Sequence, residues 1–137
     1  MLVEFALVIP VFILIVMGIV DLGRGIVFYN MLSDAAREGA RIGIIQTKTS
    51  AQMCAQAVDQ VQAPGVTSSS ACSSIVDSTN KSFGTLTVYV HRGTTGLIGD
   101  PAKVQLWYSF QPITPIITVI TGSAISLPAK AAMYIEP

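Results

Sequence analysis

An apolar segment near the amino terminus constrains the fold of this chain more than any other feature. From Phe5 to Val20 the sequence has sixteen consecutive uncharged residues, and an acid, Glu4, directly precedes them. As a helix this segment is about 24 Å long, which is marginal for a bilayer core that needs roughly 20 residues. A helix that is apolar on all sides must be buried on all sides, in lipid or among other helices.

The helical pattern continues beyond the apolar segment. Charged residues follow at spacings of three or four, namely Asp34, Arg37, Glu38 and Arg41. A secretory signal fits poorly, since no basic region precedes the apolar run and no small-residue cleavage site follows it. The pattern predicts one helix over residues 1–45, with an apolar half (1–20) and an amphipathic half (21–45). Because so long a helix cannot pack within a small domain, half of it must project.

Small residues and helix breakers mark both halves of this predicted helix. Pro10 removes a backbone hydrogen bond, so a kink or a loosened turn is expected there, and Gly18 weakens the helix further along. In the amphipathic half, Gly39 and Gly43 belong to a strip of small residues that also includes Ala35. Such a strip lets another helix or a sheet approach closely, and we expect both glycines to serve close packing.

The two ends of the chain carry a family resemblance. The segment "LVEFALVIPVFILIVMGIVDLGRGIVFYNMLSDAAREGARIG" is similar to the amino-terminal helix of TadE-like pilins, subunits of the type IV-related Tad pili. The closing "GSAISLPAKAAMYIEP" resembles the last strand of that family, whereas the middle of the chain is not covered. The resemblance implies an α+β, lollipop-shaped fold. Its long helix packs on a head, residues 46–137, with a three- or four-stranded antiparallel sheet.

The resemblance also implies a structural role. Such subunits wait in the inner membrane, are processed by a prepilin peptidase, and are then assembled with identical subunits into an extracellular filament for adhesion, surface attachment or motility. In the filament Glu4 would pair with an α-amino group, its own or a neighbour's; alternatively it lies hydrated at the lipid headgroups. The acid is fourth here and fifth in mature chains of this class. We therefore expect either different processing or a chain that starts late.

Two other functions are compatible with the same residues. Within pilus assembly, the chain could be a low-copy minor pilin or priming subunit. From a different class, it could be a monomeric, membrane-anchored extracytoplasmic binding module, which would stay in the membrane after shearing.

The region after Ile45 reads as a small extracytoplasmic domain. Cys54 and Cys72 lie in polar surroundings, which favours a disulfide over two free thiols in that compartment. Asn80 begins an Asn-Lys-Ser sequon and is a candidate glycosylation site.

The secondary structure expected in this domain follows from caps and periodicity. A helix capped by Ser50 ends before Pro64, and a polar loop occupies residues 65–84. Alternation with period two predicts three strands, at 85–91, 103–110 and 125–136. Pro128 marks the last strand as an edge strand or a bulge, and a short helix over 114–122 precedes it.

Composition and motifs argue against other classes. The formal net charge is zero, so no electrostatic footprint for nucleic acid is present. His91 is the only histidine, the carboxylates outside the long helix are scattered, and the glycine-rich stretch after it lacks the lysine of a phosphate-binding loop. We therefore expect no metal, no cofactor and no enzymatic activity.

Overall fold

The computed structural model describes residues 2–45, 47–67, 69–75, 77–93, 99–114, 117, 119 and 122–135. Two α-helices, α1 (Leu2–Gly43) and α2 (Ser50–Gln60), are followed by a 3₁₀ helix (Ser69–Ser74). Four strands come next: β1 (Thr79–Phe83), β2 (Leu86–Arg92), β3 (Pro101–Phe110) and β4 (Ile125–Tyr134). They form one antiparallel sheet in the order β1-β2-β3-β4. A long amino-terminal helix packed on a four-stranded sheet confirms the predicted α+β fold class.

Helix α1 is the dominant element. Its 42 residues give a rod about 63 Å long, and the helix continues through Pro10. It ends at Gly43, two residues before the predicted boundary. The guanidinium of Arg92 donates hydrogen bonds to the carbonyl oxygens of Gly43 and Ile45, 3.3 Å each. The bond to Gly43 satisfies a carbonyl group that a helix end otherwise leaves without an intrahelical partner.

The hydrophobic core lies between the carboxyl-terminal half of α1 and one face of the sheet. In β3 every second residue is buried, from Ala102 to Phe110, and the pattern in β2 is the same from Leu86 to Val90. Opposite residues such as Val88 and Leu106 share this inner face. On α1 the small residues Ala35, Ala36 and Ala40 are fully buried.

Gly39 and Gly43 bring α1 into close contact with the rest of its own domain. A Cβ at Gly39 would lie 3.0 Å from the Cβ of Ala57, and one at Gly43 would lie 2.6 Å from the Cβ of Ala102. At Gly43 the terminal methyl of Met53 would be equally crowded, at 2.5 Å. Both glycines therefore allow a backbone approach that a side chain would prevent.

Helix α2 is capped one residue earlier than the sequence indicated. The hydroxyl of Thr49, not that of Ser50, accepts from the backbone N–H of Gln52, and the Gln52 side chain accepts from the Thr49 N–H. This reciprocal pair is a capping box. The hydroxyl of Ser50 is engaged elsewhere, since it donates to the carboxylate of Asp77 at 3.1 Å.

The predicted polar loop over residues 65–84 is wrong in part. It contains the 3₁₀ helix and β1, which pairs with β2 from Thr79↔Val90 to Phe83↔Leu86. Between the two strands, Gly84 has a φ of +68° and permits the tight turn. β1 is an edge strand with polar residues, so it lacks the apolar alternation by which strands are recognised.

Other sequence predictions agree with the structure or lie outside it. The three predicted strands correspond to β2, β3 and β4 within two residues at each end, and β4, which carries Pro128, is an edge strand. Within the helix predicted over 114–122, residues 115, 116, 118, 120 and 121 lie outside the described residues, and so does all of the connection at 94–98. The predicted disulfide between Cys54 and Cys72 is present, and it joins α2 to the 3₁₀ helix.

Candidate membrane and assembly interface

The amino-terminal half of α1 carries an apolar surface that the protomer itself does not cover. This projecting segment is defined here as Val3–Val27. Val3 is 75 % exposed and Phe5 67 %, and the exposure persists to Val27, 63 %. Phe12, Ile19 and Leu22 are exposed to a similar degree. In water such a surface would be strongly unfavourable, because burying apolar area stabilises by about 25 cal/mol per Å².

The helix satisfies the length and composition of a membrane-spanning segment. The described helix Val3–Gly43 contains an apolar window of sufficient length, none of it buried within the protomer. The part before Asp21 is about 28 Å long, similar to a bilayer core. The long apolar helix therefore indicates membrane anchoring.

Three residues singled out by sequence lie on this projecting segment. The side chain of Glu4 is exposed in the first helical turn, and Pro10 lies in an exposed, uninterrupted helix. Around Gly18, an added Cβ would meet no atom within 4 Å. The structure thus separates Gly18 from Gly39 and Gly43: the first faces open space, whereas the other two contact the head.

The projecting segment meets the head at Asp21. Although it lies beside exposed apolar residues, this aspartate is only 4 % exposed. Its carboxylate accepts the backbone N–H of Thr114 at 2.7 Å and that of Ile113 at 3.0 and 3.1 Å. Arg24 adds an ion pair at 3.3 Å. A carboxylate with several donors is well compensated for its burial, so Asp21 fastens α1 to the connection between β3 and β4.

Aromatic side chains support the same junction from the sheet side. The Arg24 guanidinium lies 5.9 Å from the ring centre of Phe28 and 5.5 Å from that of Phe110. Phe28 also packs against Tyr108, with ring centres 5.3 Å apart. These contacts are within the range of favourable cation–π and aromatic interactions.

An apolar groove adjoins the junction. It has a volume of about 390 Å³ and lies between α1 and the neighbouring ends of β3 and β4. Its lining residues include Gly18, Leu22, Gly25, Ile26, Phe110 and Leu127. The groove is continuous with the exposed surface of the projecting segment, because both include Leu22 and Ile26.

The remaining polar cluster has no catalytic geometry. Ser78 Oγ lies 2.7 Å from Nδ1 of His91, and Oδ2 of Asp77 lies 3.2 Å from the same nitrogen. A nucleophile–base–acid relay requires the serine and the acid on opposite ring nitrogens, so this cluster cannot act as one. Within the described ranges, no group of three or more metal-ligating side chains occurs. Asn80, the candidate glycosylation site, is exposed in β1.

Together these features define a class: a small α+β domain mounted on a long helix with an uncovered apolar half. Residues 1–41 match the family model of TadE-like protein. The match covers the projecting segment and most of the helix surface that contacts the head, and it does not extend into residues 46–137. Comparison with curated proteins and with solved structures found no match to this chain.

Sequence reasoning did not find the role of Asp21 and Arg24. The sequence shows an isolated acid directly after the apolar segment with a basic residue three positions later. That arrangement indicates only that the apolar segment ends at a charged pair, and it does not indicate a contact with the head. Its partners Ile113 and Thr114 are 92 and 93 residues away, so no local periodicity could identify them.

Proposed function

We propose that this protein is a structural subunit of a Tad-type pilus rather than an enzyme. The single observation that carries the proposal is the apolar surface of Val3–Val27, uncovered in a chain whose first 41 residues are TadE-like. In the inner membrane, lipid covers this surface. In an extracellular filament, the same surface is covered by the helices of identical subunits, so water is excluded in both states.

The position of Glu4 supports a role in subunit register. It is the first acid of the helix, and it precedes an apolar run. A carboxylate transferred into an apolar filament core costs several kcal/mol unless a cation compensates it. An α-amino group of the same or a neighbouring subunit supplies that cation, and the pairing fixes the axial position of each helix.

The test is the recovery of filaments sheared from cells that express Glu4→Gln. We expect filament yield to fall at least tenfold, while the amount of subunit in the membrane stays unchanged. Asp34→Asn, which alters an exposed acid on the head-proximal part of α1, is the matched control and should assemble normally.

Electron microscopy and mass spectrometry of the sheared material then separate the alternatives. A subunit abundant along the shaft supports the main structural role, and trace amounts indicate a minor or priming subunit. Complete retention of the wild-type chain in membranes, with none in sheared filaments, would contradict the proposal and favour a monomeric anchored module.

A further inference from the structure

The face of the sheet that points away from α1 has an unusual composition for a solvent-exposed surface. Residues on this outer face alternate with the buried ones of the inner face, and the register aligns them across strands. We define the outer patch as Tyr89, Lys103, Gln105, Trp107 and Lys130. It combines two aromatic rings, two cations and one amide on three adjacent strands.

The two rings of the outer patch lie on neighbouring strands. Tyr89 pairs with Gln105 and Thr87 pairs with Trp107, so Tyr89 and Trp107 are diagonal neighbours on one face. Both are partly exposed. Such diagonal neighbours are about 7–8 Å apart at their Cα atoms, which places two partly exposed rings near each other on the same face of the sheet.

The cations of the outer patch border a shallow depression. Its volume is about 380 Å³, and its lining includes Lys103, Gln105 and Lys130. Lys130 pairs directly with Gln105, and Lys103 is its diagonal neighbour. Among the outward-facing residues of the four described strands there is no carboxylate, and neither lysine forms an ion pair with a described residue. The patch is therefore complementary to a negative charge.

We propose that the outer patch binds an acidic polysaccharide, a chain of uronic-acid-type sugars. The apolar C–H face of a pyranose ring packs on Tyr89 or Trp107, as apolar surface packs on aromatic rings generally. The sugar carboxylate accepts charge-assisted hydrogen bonds from Lys103 and Lys130, and the Gln105 side-chain amide forms a hydrogen bond with a sugar hydroxyl.

Charge favours a polysaccharide over a nucleic acid. Single-stranded nucleic acid needs a continuous cationic groove that follows its phosphates, whereas the chain has zero net charge and the patch has only two lysines. The proposal does not depend on filament assembly, because one chain supplies the whole patch.

Trp107 makes a direct test available, because it is the only tryptophan of the chain. The full chain in detergent is titrated with unesterified oligogalacturonate, and tryptophan fluorescence reports contact at the patch. We expect a saturable change that weakens as salt is raised, and a much smaller change with the methyl-esterified, uncharged oligomer.

Three variants locate the binding. Lys103→Gln/Lys130→Gln should weaken binding on the order of tenfold. Tyr89→Leu, which keeps the Trp107 reporter, should weaken it about fivefold. The control Arg41→Gln/Lys48→Gln removes the same charge from the end of α1 and the segment after it, away from the outer patch, and should bind as the wild type does. Circular dichroism checks that each variant is folded.

Three results would overturn the proposal. The first is no fluorescence change with the acidic oligomer, and the second is equal loss in the control and patch variants. The third is tighter binding of a deoxythymidine oligonucleotide than of the oligogalacturonate, which would assign the patch to nucleic acid.

Discussion

The carboxylate of Asp21 and the backbone N–H of Thr114 are joined by a 2.7 Å hydrogen bond across 93 residues of sequence. This bond connects the base of the projecting helix to the segment between the two last strands. The angle at which the helix leaves the head is therefore fixed by a tertiary contact as well as by the core. Replacing the carboxylate tests how much the junction contributes to stability.

Asp21→Leu removes the acceptor for two backbone N–H groups and the partner of Arg24. Buried donors without an acceptor are costly, so we expect the melting temperature of the head in detergent to fall by about 5 °C or more. Thermal unfolding followed by near-ultraviolet circular dichroism measures it. Asp34→Leu is the control, since Asp34 forms an exposed pair with Arg37 at 3.6 Å. Equal shifts in the two variants would argue against a specific junction.

Gly43→Ala should destabilise the head, since the new methyl would lie 2.5–2.6 Å from Met53 and Ala102. Overpacking of this kind costs about 1–3 kcal/mol of unfolding free energy. Denaturant unfolding in detergent measures the change. Gly23→Ala is the matched control: nothing lies within 4 Å of its Cβ, and alanine is the better helix former. A Gly43 variant as stable as the control would mean that the contact can relax.

The disulfide between Cys54 and Cys72 closes a loop with a sequence separation of 18. Reduction should lower the unfolding free energy of the head by about 3 kcal/mol, because the unfolded chain gains conformational freedom. Unfolding with and without dithiothreitol measures this difference. The double variant Cys54→Ala/Cys72→Ala supplies the control, since reductant should not change its stability. An unchanged transition of the reduced wild type would contradict the prediction.

Thr49→Ala removes the capping hydroxyl of α2. The expected loss is about 1 kcal/mol of unfolding free energy, the usual value for a threonine cap. Thr47→Ala changes an exposed threonine two residues earlier and should have little effect. Denaturant unfolding of the two variants compares them directly. Equal unfolding free energies for both would show that the Thr49 cap does not stabilise α2.

Local signals predicted the long helix and three of the four strands, because each is encoded by a repeated apolar pattern. The buried alternation from Ala102 to Phe110 is the clearest example. The small residues of α1 were also informative, since Gly39 and Gly43 indicated close packing. Sequence did not show that their partners include Ala57 and Ala102 of the same chain.

Tertiary contacts account for what the sequence missed. The sequence does not predict β1, because this edge strand exposes polar residues such as Asn80 and Ser82 and has no apolar alternation. The sequence favours Ser50 as the cap although Thr49 performs that role, because both residues suit a cap and only the hydrogen bonds to Gln52 distinguish them. Arg24 is the only partner of Asp21 that is close in sequence, so the role of Asp21 could be recognised only from the tertiary structure.

The spacing of glycines in α1 has a mechanical consequence. Gly18, Gly23 and Gly25 have no neighbour within 4 Å of an added Cβ, and each weakens the helix by about 1 kcal/mol relative to alanine. A bending load on the head is therefore concentrated in this short stretch rather than spread along the rod. Asp21 lies inside the same stretch and braces one side of it, so flexing is easiest in directions that do not pull Asp21 from Thr114. We therefore expect α1 to bend mainly between Gly18 and Gly25, and mainly in directions that keep the hydrogen bond between Asp21 and Thr114.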